Sequence, residues 1–163
     1  MERVAGAQLA GFWPRVGALV LDALLLLVIL IPLSIVVALA FGGGAFRFGT
    51  GASFAANFVG AILGIVVWGA YAGFLMARPG HRNGQTLGRQ VTNIRAVRDD
   101  GSPFDFATAA IRDGAVKIGI VSILQAFVPF AGFLYLVDFL FPLFENENRT
   151  VHDLIVKTHV VNA

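Results

Sequence analysis

The sequence contains no cysteine, and only 13% of its 163 residues are charged. The absence of cysteine excludes disulfide bonds and thiolate metal sites. A soluble domain of this length would carry about 25% charged residues. Because the apolar residues come in long runs and do not alternate, a β-barrel is not expected. With 57% hydrophobic residues, the chain is predicted to form one helical membrane domain over residues 1–163.

The motifs of common enzyme classes are also missing. No Ser-His-Asp arrangement, catalytic acid pair or nucleotide fingerprint is present. The glycines at 42–44 precede Thr50 with no lysine, which argues against a phosphate-binding loop. The three histidines are at least seven residues apart, a spacing that does not indicate a metal site. We therefore expect no enzyme, no cofactor and no metal. His152 is expected to be an ordinary surface residue, with a proton relay to Asp153 as the alternative.

Long hydrophobic runs dominate what is present. They cover residues 16–41, 54–77 and 115–144, and the last is interrupted at 129–132. The first run would extend about 39 Å as a helix, longer than the ~30 Å hydrocarbon core, so a kink at Pro32 is expected. The last run is interpreted as two short helices, 110–128 and 129–144. One kinked helix or a re-entrant pair are the alternatives. The predicted fold is an all-α, multi-pass transmembrane bundle of about four hydrophobic helices.

The charged residues between the runs indicate the topology. Residues 78–113 contain six arginines, which is typical of a cytoplasmic loop. Arg3 and Arg15 precede the first run, and Arg149 and Lys157 follow the last. Both termini are therefore expected on the cytoplasmic side of the cell (inner) membrane, which requires an even number of crossings. The loop arginines are not expected to bind nucleic acid.

Other segments carry local signals. Small residues at four-residue spacing, including Gly60, Gly64, Gly69 and Gly73, predict close packing of the second helix against the first, with a dimer face as the alternative. Residues 99–103 predict a turn. Residues 91–97 are compatible with a short strand or an interfacial helix, and the tail at 151–161 is expected to be ordered and to end in a β-prone patch.

Asp22 lies inside the first hydrophobic run, where an ionisable residue needs a functional or packing reason. Arg15 lies two helical turns earlier on the same face. Asp22 could bind a proton or a monovalent cation in exchange, or it could be a hydrogen-bond anchor between helices. Arg15 could reach lipid headgroups, or it could pair with Asp22, Asp113 or Asp153. Asp138 is a second intramembrane acid, which shares a polar cavity with Asp22 if the first and last helices pack together.

These residues resemble the signatures of the RDD family of small membrane proteins, named for an arginine and two aspartates. The resemblance rests on the segment from Arg15 to Asp22, on the loop segments 84–88 and 93–101, and on the tail from His152 to Val161. It assigns Arg15, Asp22 and Asp153 to the family's charged residues. One departure is Arg89, where the family pattern leads us to expect lysine.

The resemblance implies a multi-pass membrane protein with the lipid bilayer as its surroundings. It further implies transport of a small solute, including exchange of a monovalent cation for a proton. The candidate charge network comprises Arg15, Asp22, Asp113, Asp138 and Asp153. Because 163 residues are few for a complete transporter, a homo-oligomer is expected. The alternative is a non-transporting scaffold or accessory subunit whose buried charges are structural.

Overall fold

The computed structural model describes residues 7–40, 51–127 and 129–163, with side chains described in 7–40, 54–124 and 130–163. The helices are α1 (Phe12–Ala40), α2 (Gly51–Met76), α3 (Leu87–Val91), α4 (Phe106–Ala110), α5 (Ile120–Phe127), α6 (Phe133–Leu140) and α7 (Val151–Ile155). A π-helical segment, Ile111–Gly119, joins α4 to α5, and the strands are β1 (Ile94–Arg98) and β2 (Thr158–Asn162). Short 3-10 turns occupy Gly80–Arg82, Pro129–Gly132 and Phe141–Leu143. The predicted glycine-rich loop and Arg3 lie outside the described residues.

In the part of the chain that the structure describes, two helices are long and apolar enough to cross a membrane, Phe12–Ala40 and Phe54–Met76. Large apolar side chains on α1, such as Val28 and Leu39, are each 74% exposed. Such an exposed apolar surface suits contact with lipid, because a helix satisfies its own backbone hydrogen bonds. Pro32 lies inside α1, which continues on both sides of it.

The third hydrophobic region is broken where the sequence predicted, but its two parts are unlike the predicted pair. The first part begins at Phe106 and carries Arg112, Asp113 and Lys117 in its π-helical segment. The second part is apolar over Phe130–Leu143. Its α-helix, α6, has eight residues, about 12 Å at 1.5 Å per residue. Neither part is a full apolar crossing of ~30 Å, so the four-helix bundle is not confirmed.

A small antiparallel sheet joins distant parts of the chain. Strand β1 from the arginine-rich loop pairs with β2 from the tail, with Ala96 opposite Val160. The N-terminal segment extends this sheet, because the Ala10 N–H donates to the Val160 carbonyl at 2.9 Å and Leu9 bridges Val161. The β-prone tail was predicted. For residues 91–97 the sequence left a short strand or an interfacial helix open, and the structure has a strand there, at Ile94–Arg98. The all-α prediction omitted this sheet.

Close packing of α2 is confirmed, although its partner is not the predicted one. A Cβ added at Gly114 in the π-helical segment would lie 2.7 Å from the Gly69 Cα, and one added at Gly73 would lie 2.7 Å from the Phe106 ring. The small residues therefore let α2 approach the helix that begins at Phe106, and not α1. An added Cβ at Gly60 or Gly64 would meet nothing within 4 Å.

Candidate functional site

The candidate site is a cavity of about 480 Å³ between α1, the π-helical segment, α6 and the tail. Its lining combines apolar side chains with most of the buried charges of the chain. The charged and polar residues that line it are Arg15, Asp22, Arg89, Arg112, Lys117, Tyr135, Asp138, Thr150, His152 and Asp153. This size lies within the range of about 300–1,000 Å³ that is usual for small-molecule sites.

Asp22 is buried and accepts hydrogen bonds on both carboxylate oxygens. The Tyr71 hydroxyl of α2 donates to Oδ1 at 2.6 Å, and the Gly88 N–H donates to the same oxygen at 2.7 Å. The Thr86 hydroxyl donates to Oδ2 at 2.6 Å. Hydrogen bonds to a charged group are worth about 1.5–3 kcal/mol each. Asp22 therefore ties α1 to α2 and to the loop before β1.

The local sequence around Gly88 explains why the loop can approach Asp22. Thr86 is the N-cap of α3, and its side chain also accepts the Arg89 N–H at 3.4 Å. A Cβ at Gly88 would lie 2.8 Å from Asp22 Oδ1 and would collide with the Ala18 carbonyl oxygen. A glycine is thus required where the loop backbone touches α1.

Five residues form a continuous ion-pair chain beside this anchor, in the order Arg15, Asp153, Arg112, Asp113, Arg89. Arg15 donates to Asp153 at 3.2 Å, and Arg112 pairs with both Asp153 and Asp113, the latter at 3.0 Å. Arg89 contacts the two Asp113 oxygens at 3.2 and 3.0 Å. This two-pronged geometry suits a guanidinium.

Asp153 links Arg15 to Arg112 in the ion-pair chain and is fully buried. The capping box of α7 holds it, since the Thr150 hydroxyl accepts the Asp153 N–H and the Thr150 N–H donates to Asp153 Oδ2. The Thr158 hydroxyl donates to Oδ1 at 3.1 Å. Burial alone would raise the pKa of this carboxyl, but attraction to Arg112, His152 and Arg15 holds the pKa well below its usual range.

Lys117 differs from the arginines because its pairing is loose. Among the described residues, its one ion pair is with Asp113 at 3.8 Å, and Asp113 also pairs with Arg89 and Arg112 at shorter distances. The ammonium also lies 5.3 Å from the centre of the Trp68 ring of α2. A cation over an indole ring gains about 0.5–2 kcal/mol. Lys117 therefore lines the cavity with an ammonium group that donates no hydrogen bond to the described residues.

Asp138 and His152 form a further pair next to the ion-pair chain, and His152 Nε2 lies 3.9 Å from Asp153 Oδ1. The His152 backbone N–H donates to Asp138 Oδ1 at 3.0 Å, and the ring Nδ1 lies 2.7 Å from Oδ2. His152 is only 6% exposed, so the expectation of a surface histidine was wrong. Its ring faces inward because the capping box fixes the start of α7. The ring Nε2 lies 3.2 Å from the Thr150 hydroxyl.

The structure brings the five predicted charged residues into one region. Asp153 is the partner of Arg15 among the three predicted candidates, whereas Asp113 pairs with Arg89 and Arg112. Asp22 and Asp138 line the same cavity, as the sequence predicted for packed first and last helices.

Sequence reasoning did not assign site roles to several residues that the structure places here: Tyr71, Thr86, Gly88, Arg89, Arg112 and Lys117. One signal could have found two of them, Arg112 and Lys117. Arg112, Asp113 and Lys117 interrupt a stretch that was interpreted as a membrane helix, and such charges need partners.

Among the described residues, no group of three or more metal-ligating side chains is arranged to hold a metal ion.

The two apolar spanning helices and the buried charges around a cavity define a helical membrane protein with an internal polar site. The family model of the RDD family matches residues 9–157. The chain belongs to the RDD family, and it is accordingly a membrane protein. No curated protein and no solved structure matches it.

Proposed function

We propose that this chain is a membrane transport protein that binds a small solute in the cavity and couples its movement to a proton. The observation that carries the proposal is the Asp138–His152 pair, which faces the cavity and joins two proton-binding side chains at 2.7 Å. Imidazole and carboxylate groups can pass a proton between them when they are in hydrogen-bond contact. A monovalent cation in exchange for a proton is the solute that the family resemblance implies.

Asp138 is a better proton-exchange group than Asp22. Asp22 accepts three hydrogen bonds from groups of two separate segments, α2 and the loop that starts α3, and each of them would have to be released. Asp138 has one partner residue among the described residues, His152, which is itself a proton carrier. A change of protonation at Asp138 therefore leaves the hydrogen bonds of Asp22 in place, and it reaches the ion-pair chain through His152, whose Nε2 lies 3.9 Å from Asp153 Oδ1.

The small sheet supports a topology for the proposal. It holds the N-terminal segment, the arginine-rich loop and the tail together, so these parts lie on one side of the membrane. The arginines favour the cytoplasmic side of the inner membrane. We further propose that the protein works as a homo-oligomer, because two apolar spanning helices are few to enclose a path for a solute.

The test is proton movement in proteoliposomes that contain a trapped pH-sensitive dye. A gradient of Na⁺, K⁺ or a small organic anion is imposed across vesicles with native protein, Asp138→Asn or the control Asp100→Asn. Asp100 is exposed and its carboxylate contacts the nearby Arg98 and Ser102. Solute-dependent proton movement should occur with native protein and the control, and should be lost with Asp138→Asn. Equal movement with Asp138→Asn would contradict the proposed role.

A second candidate function is a non-transporting scaffold or accessory subunit. The observation that favours it is the complete hydrogen bonding of Asp22, together with the ion-pair chain, since both bind segments of the chain to one another. This candidate predicts that folded native protein moves no proton with any of these solutes.

A further inference from the structure

Lys117 is a positively charged residue of the cavity wall that has no role in the proposed function. Among the described residues its ammonium makes no hydrogen bond, and its closest carboxylate, 3.8 Å away, is shared with two arginines. Its side chain is 16% exposed and lines the cavity. A partly desolvated cation is costly unless it is paired, so this position favours a negatively charged partner.

The carboxylates around Lys117 have other hydrogen-bond partners. The ion-pair chain contains three arginines and two aspartates. With Lys117 added, the formal charges balance only when Asp22 and Asp138 are counted as well. Asp22 accepts hydrogen bonds from Tyr71 and the loop, and Asp138 accepts one from His152, so neither is hydrogen-bonded to Lys117.

The cavity lining is also partly apolar. Leu19 of α1 and Leu136 and Phe139 of α6 contribute to it. The rings of Phe12 and Phe139 are 5.3 Å apart in an edge-to-face contact between α1 and α6. The cavity therefore offers both the ammonium of Lys117 and hydrocarbon side chains to a ligand.

We propose that the cavity binds a small amphiphilic organic anion, whose acidic group pairs with Lys117 and whose apolar part lies against Leu19, Leu136 and Phe139. This inference rests on the proposed function in one respect, because the anion is then the solute that is moved. A volume of about 480 Å³ suits a short-chain acid that is free in solution.

The test measures binding of hexanoate to the protein in phosphatidylcholine nanodiscs, from its effect on the melting temperature. Acetate carries the charge without the apolar part, and hexanol carries the apolar part without the charge. Hexanoate should stabilise the protein in a saturable manner, and the other two should not. Lys117→Gln should weaken hexanoate binding about ten- to hundredfold, since one charge-assisted contact is lost. Lys157→Gln, at an exposed position, should bind as the native protein does.

Two results would overturn the proposal: equal stabilisation by hexanol, or native-like hexanoate binding by Lys117→Gln. Nanodiscs that contain phosphatidylglycerol distinguish the source of the anion. If phosphatidylglycerol abolishes the hexanoate effect in native protein, the site takes a lipid headgroup and the small-acid assignment is wrong.

The outcome is separable from that of the proposed function. If hexanoate binds but no proton movement depends on Asp138, the anion site is supported and the proposed transport is contradicted. If Na⁺ or K⁺ drives proton movement but hexanoate does not bind, the proposed transport is supported and the anion site is contradicted.

Discussion

At the scale of single residues, Asp153 is the group on which most of the buried charge depends. It is fully buried and joins Arg15 to Arg112, while Thr150 and Thr158 satisfy its remaining positions. Two of these partners come from segments more than 40 residues away in sequence. The carboxylate therefore holds the tail against α1 and against the π-helical segment.

Asp153→Asn should lower the free energy of unfolding by about 3–5 kcal/mol, because it removes the carboxylate that pairs with Arg15 and one of the two that pair with the buried Arg112. The measurement is the melting temperature in detergent. Asp100→Asn is the matched control, since exposed ion pairs contribute about 0–1 kcal/mol. Equal melting of the two variants would show that the ion-pair chain does not stabilise the fold.

The same carboxyl predicts a response to acid. Its pKa is lower in the folded protein than in the unfolded chain, because Arg112, His152 and Arg15 outweigh the effect of burial. A depressed carboxyl pKa contributes stability above the unfolded value, near pH 4, and this contribution is lost as the pH falls further toward the folded value. Native protein should lose melting temperature below about pH 4 more steeply than Asp153→Asn does. Parallel curves would contradict the prediction.

At the scale of elements, the central contact is the one between α1 and the loop that begins at Thr86. The loop carries its own N-cap, and Asp22 receives its hydroxyl and backbone donors. The short helix α3 and the strand β1 follow directly, so this contact also positions the small sheet. Asp22 acts here as an anchor, whatever the cavity binds.

Gly88→Ala should disrupt this contact, because the new Cβ would collide with the Ala18 carbonyl and crowd the Asp22 carboxylate. We expect a loss of about 2–4 kcal/mol, similar to that of other overpacked or broken buried contacts. Gly60→Ala is the control, since nothing lies within 4 Å of its added Cβ and alanine favours a helix by up to about 1 kcal/mol. Comparable melting temperatures for both variants would argue against a close contact at Gly88.

Much of this arrangement followed from local sequence. The hydrophobic runs predicted α1 and α2, and the valines at 160 and 161 predicted a β-prone tail. The hydrogen-bond partners of Asp22 and Asp138 could not be predicted from the sequence, because they depend on contacts between segments far apart in the chain. His152 illustrates the reason: its environment depends on how α6 packs against α7, and neither residue type nor spacing reports that.

At the scale of the whole molecule, the small sheet joins three distant segments. Its strands come from the loop and the tail, and the N-terminal segment pairs with the tail. In the topology proposed above, these segments share one side of the bilayer, and α1 and α2 cross it in opposite directions.

Single cysteines can test this topology without removal of native ones, since the sequence has none. Asp100→Cys and Asn146→Cys should react with a membrane-impermeant thiol reagent from the same, cytoplasmic side. Ala40→Cys, at the end of α1, should react from the opposite side. Labelling of the first two positions from different sides would contradict the arrangement.

If the cavity is a transport chamber, as proposed, a cysteine inside it should be accessible from both sides of the membrane. Ala18 lines the cavity and is 3% exposed, so Ala18→Cys places a small thiol there. A small impermeant thiol reagent is applied from each side of oriented vesicles. A transporting protein should react from both sides, with rates that shift in opposite directions when the transported solute or the pH is changed. Reaction from one side alone under every condition would contradict transport and would favour a scaffold.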